Sequence, residues 1–165
     1  MRHLIVRTLA LFSLVFLTVA IYPASSAAQE NTVDYTLTNV SNRDFSNQDL
    51  SGTSFAAAEA RDADFTGADL SGTILTKASF LRANLSGVDL SGAFSDRVNF
   101  SGANLTDAVV TDAIMSSSLF KDTIIEGADF SGAIIDRYQT ALMCKYASGV
   151  NPTTGVATRD SLGCR

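Results

Sequence analysis

ADFTGADLSGTILTKASFLRANLSGVDLSGAFSDRVNFSGANL, residues 63–105, decides how this chain folds. Within it Phe65, Leu70, Leu75, Phe80, Leu85, Leu90, Phe100 and Leu105 all fall on one five-residue register. The register runs outward through Ala60, Phe55, Leu50 and Phe45 on one side. On the other it continues through Val110, Met115, Phe120, Ile125, Phe130 and Ile135. Tyr35 and Val40 extend it at the front. A short fixed period sustained this long specifies a solenoid, in which each unit contacts only its neighbours along the stack.

The other positions of each unit say what the unit is. Two residues before the large apolar centre sits a small residue, such as Ala63, Ala68, Ala83, Ala103 and Ala128. Residues two apart on extended chain point the same way, so both positions face one interior. The residue between them points outward and is often polar, as at Asp44, Asp64, Asn84, Asn99 and Asn104. After the centre come Ser or Thr and often Gly, as in Ser71-Gly72 and Ser101-Gly102. These are turn residues, and glycine supplies the backbone freedom of a tight corner. Each unit is a very short strand followed by a corner. A helix is excluded, because a five-residue period walks the apolar residues around its circumference. So many glycines would also cost it about 1 kcal/mol each.

Segments such as Ala68-Asp69-Leu70-Ser71-Gly72, Ala83-Asn84-Leu85-Ser86-Gly87 and Ala128-Asp129-Phe130-Ser131-Gly132 resemble the pentapeptide repeat family. That resemblance implies an all-β solenoid, a right-handed quadrilateral β-helix in which four units make one square coil of about twenty residues. One pattern in the chain supports the twenty-residue coil independently. Phe80, Phe100 and Phe120 then form one interior column, and the outward residues Ile74, Phe94, Ile114 and Ile134 align on one face. Ser95 is the single polar centre, beside Phe94, and the unchanged register at Val98 and Phe100 places Phe94 outside.

Four regions follow: a signal peptide at 1–28, a lead-in and cap at 29–39, the repeat at 40–135, and a helix and closed tail at 136–165. The signal reading rests on Arg2 and Arg7, an apolar run from Leu9 to Ile21, and the small residues Ala24 to Ala28. The run is shorter than the roughly 20 residues of a membrane span, so no membrane attachment is expected after cleavage. Cleavage would remove Arg2 and Arg7, leaving ten of twelve basic residues against seventeen acidic ones, net −7. Such a surface offers no footing for nucleic-acid phosphates. Residues 136–146 read as a short helical cap, with Tyr138, Leu142 and Tyr146 on the face that covers the last coil. Cys144 and Cys164 most simply form one disulfide in an exported chain. Closing a loop of that size is worth roughly 3 kcal/mol in the chain-entropy picture. The tail motif Cys144-Lys145, Ala147-Ser148-Gly149, Asn151-Pro152 and Ser161-Leu162-Gly163-Cys164 is similar to that of exported thylakoid-lumen pentapeptide proteins of cyanobacteria and chloroplasts. The similarity implies this same bridge and a location in the thylakoid lumen or periplasm.

Chemistry is hard to build from what remains. The one histidine, His3, falls in the signal peptide, which removes the usual general base and the commonest metal ligand. No catalytic residue, cofactor or metal is expected, and the chain is read as not an enzyme. Asp49, Asp69, Asp89 and Asp129 share one outward face and could in principle attract calcium. The favoured reading has each carboxylate bonding its own corner amides. The stripe of Ile74, Phe94, Ile114 and Ile134 is a candidate interaction face, for an unknown protein partner or a second copy. The alternative is that the tail folds back and covers it. Val109, Leu119 and Ile124 also point outward, making the C-terminal half the more adhesive. The resulting function is a non-enzymatic exported module that docks through a rigid face. The alternative is an acidic nucleic-acid mimic of the gyrase-protecting type known in the family, which the signal peptide disfavours.

Overall fold

The computed structural model describes residues 33–165, so the signal-peptide reading of 1–28 lies outside the described residues, as do 29–32 of the lead-in. From Asp34 onward each unit closes a two-residue corner behind its centre. In most units the N–H of the residue three after the centre donates to the centre's carbonyl, as from Ala58 to Phe55 and from Ala103 to Phe100, both at 2.9 Å. The second corner residue has positive φ, which is the type II pattern. Glycine fills it at Gly72 (φ 62°), but Ala57 (54°), Lys77 (63°) and Arg82 (57°) adopt it too. A side chain there costs roughly 1–2 kcal/mol. The cost is tolerated because neighbouring coils fix the backbone on both sides.

Those coils repeat every twenty residues. Parallel bridges join Asp34 to Ser54, Asn39 to Glu59, Asp44 to Asp64 and Asp49 to Asp69, and the series continues to Ile114 with Ile134. Four bridged residues per turn give the coil four faces. Each centre from Tyr35 to Met115 donates to a carbonyl nineteen residues on, as Phe80 does to Asn99 (2.9 Å). Each bridged residue donates twenty-one back, as Asn99 does to Ala78 (3.0 Å). The ladder opens within the stretch read as a lead-in, with Tyr35 at a centre position.

Inside, centres and small residues are buried together. Phe80, Phe100 and Phe120 form the expected column, stacked with ring centroids 5.7 and 5.4 Å apart. Tyr35 stacks on Phe55 and Phe45 on Phe65 in the same way. Ser95 lies inside and Phe94 outside, as the register required. The Ser95 hydroxyl is buried with no partner among the described residues. Its carbonyl accepts the Ser118 hydroxyl, and Ser118 Oγ in turn takes the Val98 N–H. Ser95→Ala is therefore expected to raise the unfolding free energy by about 1 kcal/mol, by deleting an unsatisfied buried hydroxyl. A denaturant titration showing a loss of stability would contradict this.

The chain leaves the coil at Asp136 and enters α1 (Arg137–Met143); α2 (Thr158–Ser161) follows. Departure deprives the last coil of its next layer, and side chains take that layer's place. Asp136 Oδ2 accepts the Ser117 N–H (2.7 Å) and Gln139 Oε1 accepts that of Phe120 (3.4 Å). In the regular ladder those amides would meet the carbonyls of residues 136 and 139, nineteen positions on. The Ser161 hydroxyl accepts the Phe130 N–H, and the Ser148 carbonyl that of Gly127.

The buried face of α1 differs from the expected one. Met143 and Ala147 are buried, whereas Tyr138 is 71% exposed, Tyr146 is exposed and Leu142 is half-buried. Met fills an irregular gap over a coil end without stranding a polar atom. A tyrosine there would have to bury its hydroxyl, so both phenols stay at the wet edge. Cys144 and Cys164 are joined, with Cα atoms 5.5 Å apart, and Arg159 donates to the Cys144 carbonyl.

Candidate functional site

Ser54, Ile74, Phe94, Ile114 and Ile134 are joined by successive parallel bridges, which places the four apolar residues on one face of the coil. Phe94 is 51% exposed, Ile134 57% and Ile74 45%, while Ile114 is half-buried between its neighbours. The stripe predicted from the sequence is thus a continuous, open surface among the described residues. Its upper end near Asp34 and Ser54 is polar, so the apolar part belongs to the later coils.

The tail does not cover it, which overturns the alternative of a folded-back tail. It crosses a neighbouring face instead, the one carrying Val109 and Asp129. Asn151 is buried there, and its Nδ2 donates to the carbonyls of Asp107, Ala108 and Gly127 at 3.1, 3.1 and 2.9 Å. Its Oδ1 accepts the N–H groups of Thr153 and Thr154. Close approach needs glycine: a Cβ on Gly149 (φ 83°) would stand 2.6 Å from the Gly127 nitrogen. The polar and glycine residues that dock the tail match that face, and the stripe offers them nothing.

The aspartate column behaves as local chemistry predicts. Asp49, Asp69, Asp89 and Asp129 each accept, through Oδ1, the N–H of the residue two further on. Such Asx bonds fix the corner. Burial would raise the Asp129 carboxyl, but the Ser131 and Thr154 hydroxyls and the Ser131 amide outweigh it and hold it below its ordinary value. Asp44 is lowered by the backbone and hydroxyl of Ser46, and Asp49 by the hydroxyl and backbone of Ser51. A carboxylate whose folded value is depressed stabilises the fold above its unfolded value and loses that contribution as pH falls through the folded one. Stability is therefore expected to be flat from neutral pH down to about pH 5 and to fall below about pH 4. Urea midpoints across that range test this, and a midpoint that rises on acidification would contradict it.

The model for pentapeptide repeats matches residues 41–76, 63–94, 78–116 and 99–136. A pentapeptide repeat protein of known crystal structure from the thylakoid lumen of Arabidopsis thaliana is 39% identical, with a TM-score of 0.78, covering 79% of this chain and 91% of that one. A Nostoc pentapeptide repeat protein is 25% identical, with a TM-score of 0.54, covering 62% and 84%. The Arabidopsis chloroplast protein "Thylakoid lumenal protein TL20.3" is 68% identical over 40 residues, 24% of this chain. The Arabidopsis "Thylakoid lumenal 15 kDa protein 1" is 51% identical over 45 residues. The matched segments span 14% and 20% of those two relatives' lengths.

Proposed function

The chain belongs to the pentapeptide repeat family, and from that premise we propose a non-enzymatic module of the thylakoid lumen that docks a protein through the face of Ile74, Phe94, Ile114 and Ile134. The observation carrying this reading is the alignment of those four residues on one open face. Exposed contiguous apolar surface is uncommon on a protein that functions alone. A β-solenoid face is rigid, so a partner meets a preformed surface and little ordering entropy opposes binding.

The proposal includes two structural elements. The coil is a right-handed quadrilateral β-helix, supported by four bridges in every twenty residues. α1 and the tail are its C-terminal cap, supported by the bonds from Asp136, Gln139, Ser148 and Ser161 to the last coil. A lumenal location is supported by the lumenal relatives and by the basic-apolar-small pattern of residues 1–28.

Phe94→Asp tests the docking face, because Phe94 is exposed and its loss should leave the coil intact. The expected result is loss of a co-purified partner, or of a dimer measured by light scattering, with an unchanged circular dichroism spectrum. Retention of every partner and of the wild-type oligomeric state would overturn the proposal.

A further inference from the structure

Where α1 lies beside the edge of the last coil, a groove of about 480 Å³ remains. That volume falls in the range of small-molecule sites. One wall is Leu119 and Phe120 of the coil, and the other is Tyr138, Leu142 and Tyr146 of the helix and the turn after it. These are the residues that the sequence pattern assigned to covering the coil. Left outside, they face a space instead. Of the polar groups nearby, Gln139 Oε1 already accepts the Phe120 N–H, and the Tyr146 hydroxyl donates to the Phe120 carbonyl.

What remains is charge. Lys121 and Lys145 line the groove from opposite walls, and neither forms an ion pair among the described residues. Asp122 is the one carboxylate lining it, and the Asp122 N–H has no partner among the described residues. Two ammonium groups against one carboxylate make the groove locally cationic on a chain whose net charge is −5. An apolar, aromatic-walled slot with uncommitted ammonium groups selects a body without charge and a head with negative charge.

We propose that this groove binds a small amphiphilic carboxylate, an alkyl or aryl body in the slot with its carboxylate between Lys121 and Lys145. The alkyl chain lies along Leu119, Leu142 and the tyrosine rings. The site is separate from the apolar stripe and does not depend on it.

The test is a protein-observed NMR titration of the oxidised protein with octanoate, and with 1-octanol as the uncharged match. Octanoate is expected to shift resonances of α1 and residues 119–122, and to bind about tenfold more tightly than octanol, as one charge-assisted contact predicts. The double variant Lys121→Ala, Lys145→Ala should bring the two affinities together, while Leu142→Asp should weaken both. Both lysines are exposed, so the double variant leaves the fold unaffected. Equal affinity of the wild-type protein for octanoate and octanol would overturn the proposal, as would shifts confined to the Phe94 face. So would octanoate selectivity that survives loss of both lysines.

Discussion

Phe100→Ala is expected to lower the unfolding free energy by about 4 kcal/mol, the range for truncating a fully buried aromatic side chain. Phe100 is wholly buried and stacks on both Phe80 and Phe120, so its loss opens a gap in the column and breaks two ring contacts at once. Collapse cannot repair the gap, because backbone bonds to the coils on either side fix the spacing. The carbonyl of Phe100 itself is committed twice, to the Thr123 hydroxyl (2.8 Å) and to the Ala103 N–H (2.9 Å). Units of a solenoid are stabilised by their neighbours, so a mid-stack gap weakens the coupling between its halves. The denaturant slope should fall with the midpoint, marking unfolding in two parts. Phe94→Ala, one unit earlier but outside, should change stability by less than about 0.5 kcal/mol. Equal effects of the two substitutions would contradict the assignment of inside and outside.

Asn151→Ala is the second large effect, also about 4 kcal/mol, with each stranded buried polar group costing roughly 1–3 kcal/mol. One side chain reaches three carbonyls, two of which have no other donor among the described residues, and accepts two amides, and it ties the tail to residues up to 44 positions earlier. Its removal strands the Asp107 and Gly127 carbonyls beneath the tail, whereas the Ala108 carbonyl keeps the Asp129 N–H (2.9 Å). Asn151→Asp should be worse than alanine, because it sets a carboxylate against three carbonyl oxygens in a buried site. Hydrogen exchange should accelerate at Gly127 and Thr158 while the coils before residue 90 stay protected. Uniform acceleration along the whole solenoid would contradict a local role for the tail.

Much of this structure was legible because a five-residue period ties each residue to one environment. The Phe80, Phe100 and Phe120 column, the outward Phe94 and the corner bonds of the aspartates follow from position in the unit alone. The left-handed corners at Ala57 and Lys77 did not, since neither residue favours that conformation and only the coils above and below impose it. The tail was legible in composition but not in path. Tyr138, Leu142 and Tyr146 have the spacing of a buried face, yet Met143 and Ala147 take the interior. The choice turns on where Asp136 and Gln139 reach the open edge of the last coil. Asn151 is an ordinary turn residue in sequence, and its role arises from carbonyls far away along the chain. Exposure of the stripe was undecidable for the same reason, because it depended on which face the tail crossed.

Docking through the apolar face is the central claim, and site-specific photo-crosslinking in the native host tests it most directly. A photoreactive residue placed at 94, with a control at 84 two corners away on the opposite side of the coil, reads the two faces separately. A discrete protein adduct, or a dimer of this chain, from position 94 alone is the predicted result. Equal adducts from both positions, or none from position 94, would contradict it.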